Sequence, residues 1–357
     1  MTRTTEAPGD TAKRSKGRRP VGPIGVGPSG DSVMLAAERL PQVLPTDRLL
    51  ANGMARRDLR NDLRRIPNVR NAITVLSVWA SAALLIGAAV WLGPLGYLAA
   101  FVLMVPIHVR LAILMHEAAH RLLFSNRRAN DWVGRWLIAS PAFVPISLYR
   151  PAHFAHHKEE FGPNEPDLAF YGGYPGPWAD LRRRLLRDAG GISGWKNLRR
   201  LLRAAIVGPG RGISGPILAV QAMLWATLWL ATGRWYVYPV LWLGPWLTGW
   251  PLVNRLRALG EHGGLGPSSD RRVTTHNVAQ SWGARLWLVP YNTGWHLAHH
   301  VDMGIPWRNL PRFHAELERA GYITDEMTYP NYRALWRALC GLGTPIPARA
   351  SAGGRIR

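Results

Sequence analysis

The sequence predicts an all-α integral membrane protein in which four transmembrane helices, paired as two hairpins, hold histidine-rich segments at one membrane face. Three observations carry that prediction. The run Ala72 to Leu92, "AITVLSVWASAALLIGAAVWL", contains no charge, and about 20 such residues cross a bilayer core as a helix. Three further apolar stretches, Leu95 to Met115, Pro216 to Thr232 and Trp235 to Val253, are joined to it or to each other by short turns. Finally, histidines recur in the groups "HEAAH", "HFAHH" and "HLAHH", all outside the apolar centres of those runs.

Residues 1–45 open with "MTRTTEAPGDTAKRSKGRRP", rich in Pro, Gly, Thr and Arg, with no apolar run that could act as a signal peptide, and are expected to be a disordered cytosolic tail. Residues 46–70 form a basic juxtamembrane segment containing Arg56, Arg57, Arg60, Arg64, Arg65 and Arg70. The membrane domain, 71–325, begins with the spans at 72–92 and 95–115, joined by the uncharged "GPLG". The second pair, 216–232 and 235–253, turns at Gly233 and Arg234, and Pro239, Pro245 and Pro251 imply kinks in its second arm. Basic residues flank the first span on one side only, which places both termini and the histidine groups on the cytoplasmic side of a bacterial-type plasma membrane.

Between the hairpins, "WLIASPAFVPISLY" at 136–149 is short and holds two prolines, so it is expected to be interfacial or re-entrant. The loop from Lys158 to Gly215 carries "LRRRLLR" and "WKNLRRLLR", either helices lying on anionic headgroups or a solvated basic face. Residues 326–357 form a C-terminal segment and tail. The net charge of +22, from 44 Lys and Arg against 22 Asp and Glu, suits nucleic acid or an anionic membrane; its concentration in tails and loops beside apolar spans selects the membrane, with no nucleic-acid partner. One cysteine, Cys340, excludes an internal disulfide framework.

His116 and His120 stand at i and i+4, and so share a helical face; "HEAAH" alone would fit a zinc protease with Glu117 as base. His153, His156 and His157, with His296, His299 and His300, raise the total to eight of the chain's 12 histidines. A catalytic zinc takes three protein ligands, so that reading strands most of them, and two metals is the better count. Imidazole suits iron, copper, zinc and nickel alike. A metal-binding transporter would place its polar ligands near the bilayer midplane, whereas these groups lie at or beyond the helix ends.

With this order of boxes, and with two spans between the second and third, the sequence resembles the integral-membrane fatty acid desaturase superfamily over roughly residues 70–325. The likeness extends to "NEPDLAFY" at 164–171, "RALGEHGG" at 257–264 and "YNTGWHLAHHVDMGIPWRNLPRFHAEL" at 291–317. It implies a cytosolic helical cap holding two iron ions, dioxygen as co-substrate and a membrane lipid or acyl substrate. His262 of "GEHGG" takes the place of a ninth metal ligand, and "RRVTTH" leaves His276 as a further candidate near the site. Glu117, Glu165, Asp167, Glu261 and Asp302 are candidates to orient the ligand histidines. A lone cysteine cannot hold an iron–sulfur cluster, so electrons are expected from a separate carrier such as ferredoxin with its reductase. The same scaffold would serve a lipid or carotenoid hydroxylase or ketolase. His108 reads as hydrogen-bonded packing or a support to the site, His314 as part of an amphipathic helix, and Arg110 as a residue snorkelling to the interface.

Overall fold

A computed structural model describes residues 33–163, 165–207 and 210–346. Helix α1 (Arg57–Leu63) leads into α2 (Asn68–Leu92) and α3 (Pro94–His120). Gly93 makes the turn between them at φ 70° and ψ −148°, a conformation open to glycine, and Pro94 starts the next helix where its missing N–H costs nothing. Val75, Val78, Ala82, Ile86 and Ala89, spaced at three and four residues, pack against Ala100, Met104 and Ile107 of the returning helix. The opposite faces leave Ile73, Leu84, Trp91, Leu95 and Leu98 exposed.

Helix α4 (Arg127–Val133) runs into a π-helical stretch, Gly134–Ala139, followed by a turn and α5 (Ile146–Lys158). The stretch 136–149 is therefore not one continuous helix; it folds back on itself. Its turn carbonyls are bonded from neighbouring helices: Gln221 Nε2 donates to Ser140 O (2.7 Å), Trp242 Nε1 to Pro141 O (3.2 Å) and Trp246 Nε1 to Ala142 O (3.1 Å). Irregular backbone deep in an apolar bundle requires such partners.

After α6 (Leu168–Tyr171) come the amphipathic helices α7 (Trp178–Ala189) and α8 (Ile192–Ile206), then α9 (Arg211–Thr232). By length and composition α2, α3 and α9 are able to cross a membrane. The expected fourth span takes a different form. A π-helical stretch at Pro239–Leu243 continues into α10 (Gly244–His262), whose second half carries Asn254, Arg255, Arg257 and Glu261. The π opening accommodates a backbone that loses donors at Pro239 and Pro245. At the far end, Arg234 Nη1 donates to Val90 O (3.2 Å), tying the tip of the second helix pair to the first.

The remaining elements are short: α11 (Arg271–Thr274), β1 (Asn277–Val278), α12 (Trp282–Trp287), α13 (His296–Val301), α14 (Leu310–Arg319), β2 (Thr328–Tyr329) and α15 (Tyr332–Leu339). They pack into one core with α1 and with residues at both ends of the described chain. Two expectations are corrected here. Residues 33–45 are not tail: Val33, Met34, Leu35 and Leu40 are buried in this core, and Tyr329 Oη donates to Val33 O (2.8 Å). The membrane domain does not end at 325, since β2 pairs in parallel with β1 and Trp336 Nε1 donates to Leu256 O (3.1 Å) on α10. Residues 1–32 and 347–357, the rest of both expected tails, lie outside the described residues.

Helices α7 and α8 are held to α10 by the buried Arg255–Asp188 ion pair and by Gly194, where an added Cβ would lie 2.2 Å from Leu247 O. Backbone cannot give way as a side-chain tip can. Gly194→Val is therefore expected to cost about 1–3 kcal/mol and lower the unfolding temperature in detergent. Gly212→Ala, which meets nothing within 4 Å, should leave that temperature unchanged or raise it.

Candidate metal centre

Four elements aim imidazoles at one volume. The end of α3 brings His116 and His120; α5 brings His153, His156 and His157; α10 ends in His262; and α13 brings His296, His299 and His300. Spacings of three and four residues put each group on one helical face, and the ends of α3 and α10 meet there because both helices pack along their length. Eight of the nine are buried and His120 is half-buried.

The nine divide into two sets. In the first, His153 Nε2 lies 2.9 Å from His120 Nε2 and 3.1 Å from His157 Nε2, which is 3.1 Å from His299 Nε2. The His116 ring centroid lies 4.5 Å from that of His153 and 4.7 Å from that of His299. In the second, His296 Nε2 lies 3.1 Å from His262 Nε2 and 3.0 Å from His300 Nε2, and His156 faces both His262 and His300.

The donor chemistry of both sets fits a metal. Among the described residues, His116 has a hydrogen bond at neither ring nitrogen although it is buried. A ring nitrogen in the first set that touches two others can bond only one of them, so the three contacts cannot all be hydrogen bonds. Separations of about 3 Å match the spacing of two ligands that share a metal at about 2.1 Å. Burial, then the neighbouring imidazoles, holds His153, His157, His262, His296, His299 and His300 well below the ordinary histidine range, which keeps them neutral with lone pairs free. A buried histidine cluster of this kind is compatible with a metal site.

The far nitrogens distinguish the sets. In the second, His156 Nδ1 meets Glu165 (2.9 and 3.0 Å), His262 Nδ1 meets Thr274 O (2.8 Å), His300 Nδ1 meets Glu160, and His296 Nδ1 lies 3.6 Å from Glu261 Oε1. In the first, Nδ1 of His116, His153 and His299 has no partner among the described residues. Burial opposes ionisation of Glu165, but its contact with His156 outweighs burial and holds the carboxyl below its usual range.

Of the acids singled out in the sequence, Glu165 contacts a histidine directly, Glu261 lies beside one, and Asp167 is within ligand distance of His156 and Glu165. Three of the candidates point elsewhere. Asp302 pairs with Arg64 (2.7 Å), Glu117 accepts from the Trp307 backbone N–H, with its other oxygen unpartnered among the described residues, and His276 Nε2 bonds Gly263 O (2.7 Å). Sequence reasoning missed Glu160, which joins His300 to Arg271, and the Thr274 carbonyl. Glu160 lies three and four residues after His157 and His156, the available signal; a backbone carbonyl gives none. His108 bonds Trp242 O (2.9 Å), His314 pairs with Glu318 (3.2 Å), and Arg110 Nη1 bonds Pro106 O (3.0 Å). A cavity of about 250 Å³ adjoins His153, His156, His262 and His296.

A bundle of apolar helices ending in a buried, nine-histidine cluster defines a membrane-type helical protein with a metal-compatible centre. More particularly, the chain belongs to the fatty acid desaturase family, whose model matches residues 92–336. That match begins at the end of α2 and runs into α15, beyond the 325 boundary expected from sequence. The chain is also similar to dihydrorhizobitoxine desaturase of Bradyrhizobium elkanii, 26% identical over an alignment of 251 residues, with 60% of this chain and 65%, less than two thirds, of that protein covered.

Removing a carboxylate behind a ligating imidazole costs typically 10–100-fold in metal affinity. Glu165→Gln and Glu160→Gln should each lower the metal retained per chain after dialysis by weakening the second set. Asp302→Asn should leave metal content unchanged, because its partner is Arg64.

Proposed function

We propose that this protein is an oxygen-dependent desaturase that uses two iron ions, one in each histidine set, and takes its electrons from a separate carrier protein. The observation that carries the reading is the division of nine imidazoles into a set of five and a set of four beside one cavity. Oxidation of an unactivated C–H bond needs a redox-active metal, which excludes zinc from a ligand set that would otherwise accept it. When bound, the iron pair supplies the activation of dioxygen. Desaturation then balances as two hydrogens from adjacent substrate carbons, two electrons from the carrier and two protons, with dioxygen reduced to two waters.

The protein's own part is placement and exclusion of water. Glu165, Glu160 and the Thr274 carbonyl fix the Nδ1–H tautomers of His156, His300 and His262, so that each Nε2 presents its lone pair. Tyr149 stacks on His153 with 5.2 Å between ring centroids and closes that side of the first set. A cleft of about 450 Å³ on the cap, lined by Arg271, Arg272 and Asn52, reaches His300 and gives the carrier a route of approach.

In the membrane we place four crossings: α2, α3, α9 and the helix formed by 237–253, arranged as two hairpins with the termini and the histidine centre on the cytoplasmic side. Supporting this are the arginines that precede α2 and the contact of Arg234 with Val90, which sets the two distal tips side by side. The similar protein is named for dihydrorhizobitoxine rather than for a fatty acid, so we take the substrate class from this chain's own cavity.

Iron analysis of purified protein is expected to give about two ions per chain, against at most one in His156→Ala. Mass spectrometry of products made with a ferredoxin system should show loss of two hydrogens, abolished in His120→Ala, His156→Ala and His299→Ala. A product that gains one oxygen would instead establish a hydroxylase, and a single zinc with proteolytic activity would overturn the proposal.

A further inference from the structure

The cavity beside the histidines has charged groups where the middle of an acyl chain would need apolar ones. At about 250 Å³ it falls below the roughly 300 Å³ at which pockets for drug-sized ligands begin. One part of its lining is apolar, with Met115, Val144, Phe170 and Trp250. The other part is polar: Tyr149, Asp167 and Tyr171 line it, and on α10 Trp250, Asn254, Arg257, Ala258 and Glu261 recur at three- and four-residue spacing and so form a single stripe facing the cavity.

Arg257 is the informative member. Its Nε donates to Glu261 Oε1 (2.8 Å), its side chain is only 14% exposed, and its two terminal nitrogens make no hydrogen bond among the described residues. An alkyl chain filling the cavity would seal that guanidinium edge and the Asn254 amide from water without a hydrogen bond among the described residues, with Asp167 the further carboxylate in the same lining. A carboxylate would bond both ends of the guanidinium fork. Glu261 lies one helical turn further on, about 6 Å along the axis, and its carboxylate is 3.6 Å from His296 Nδ1.

We propose that the substrate is a short carboxylic acid whose carboxylate is bound by the terminal nitrogens of Arg257, with Asn254 one turn away, and whose apolar body lies against Met115, Val144 and Trp250. The carbons oxidised are then a few bonds from the carboxylate. This rests on the desaturase reading for its chemistry, with dioxygen as oxidant and the two carrier electrons in the balance given above, but the binding itself does not.

The test is equilibrium binding of radiolabelled acids from butanoate to octanoate, and of their methyl esters, to the iron-loaded full chain in detergent. At least one acid should bind at least tenfold more tightly than its ester. Arg257→Gln should lose that preference with iron content retained. Because Arg257→Gln also strips Glu261 of its partner, the double variant Arg257→Gln, Glu261→Gln and the separate variant Asn254→Leu provide independent checks, with the same loss expected in the first and a weaker one in the second. The proposal is overturned if no acid in the series shows Arg257-dependent binding, or if stearoyl chains are oxidised equally by wild type and Arg257→Gln. Acid binding that depends on Arg257, without any oxidation when electrons are supplied, would keep this proposal and remove the desaturase reading instead.

Discussion

Everything in this structure is arranged around the difficulty of crowding nine imidazoles into a dry volume. A buried polar atom without a partner is costly, and here ring nitrogens meet ring nitrogens at about 3 Å, where their protons cannot satisfy all of them. Apolar packing elsewhere must hold them there. The interlocked faces of α2 and α3, the close approach of α8 to α10 through Gly194, and the Arg255–Asp188 pair hold the helix ends in place. The side-chain bonds to the Ser140, Pro141 and Ala142 carbonyls act in the same way on the linker between the first two histidine groups.

Much of this was legible in the sequence, for a physical reason: apolar length and i, i+3, i+4 spacing are local properties that the helix converts directly into faces. Ala72 to Leu92 is contained in α2, Pro216 to Thr232 in α9, and all nine histidines expected to converge do so. What escaped was what depends on contacts distant in sequence. Val33 to Leu40, "VMLAAERL", is more apolar than the residues before it but too short to mark an element by itself, and only the core built by α13 to α15 gives its apolar residues a place to go. Asp302, adjacent in sequence to a histidine box, is drawn instead to Arg64, more than two hundred residues away.

The fourth apolar stretch shows a limit of a different kind. Its prolines imply kinks, whereas the structure has a π-helical stretch continuing without a break into α10, a backbone response that is not written in residue type. The consequence reaches the site, because the same helix ends in His262 and carries the Arg257 stripe along the cavity wall. One helix thus contributes a candidate metal ligand and the charged side of the candidate substrate chamber.

The division of the histidines also fixes an order of events during synthesis. The first set waits for His299 and the second for His262, His296 and His300, so neither is complete until the ribosome has passed residue 300. The first helical pair can be inserted and folded long before, yet it then carries His116 and His120 without their companions. Metal capture at the proposed centres would thereby be a late step in biogenesis, and a chain truncated before α13 would lack the histidines that complete either set.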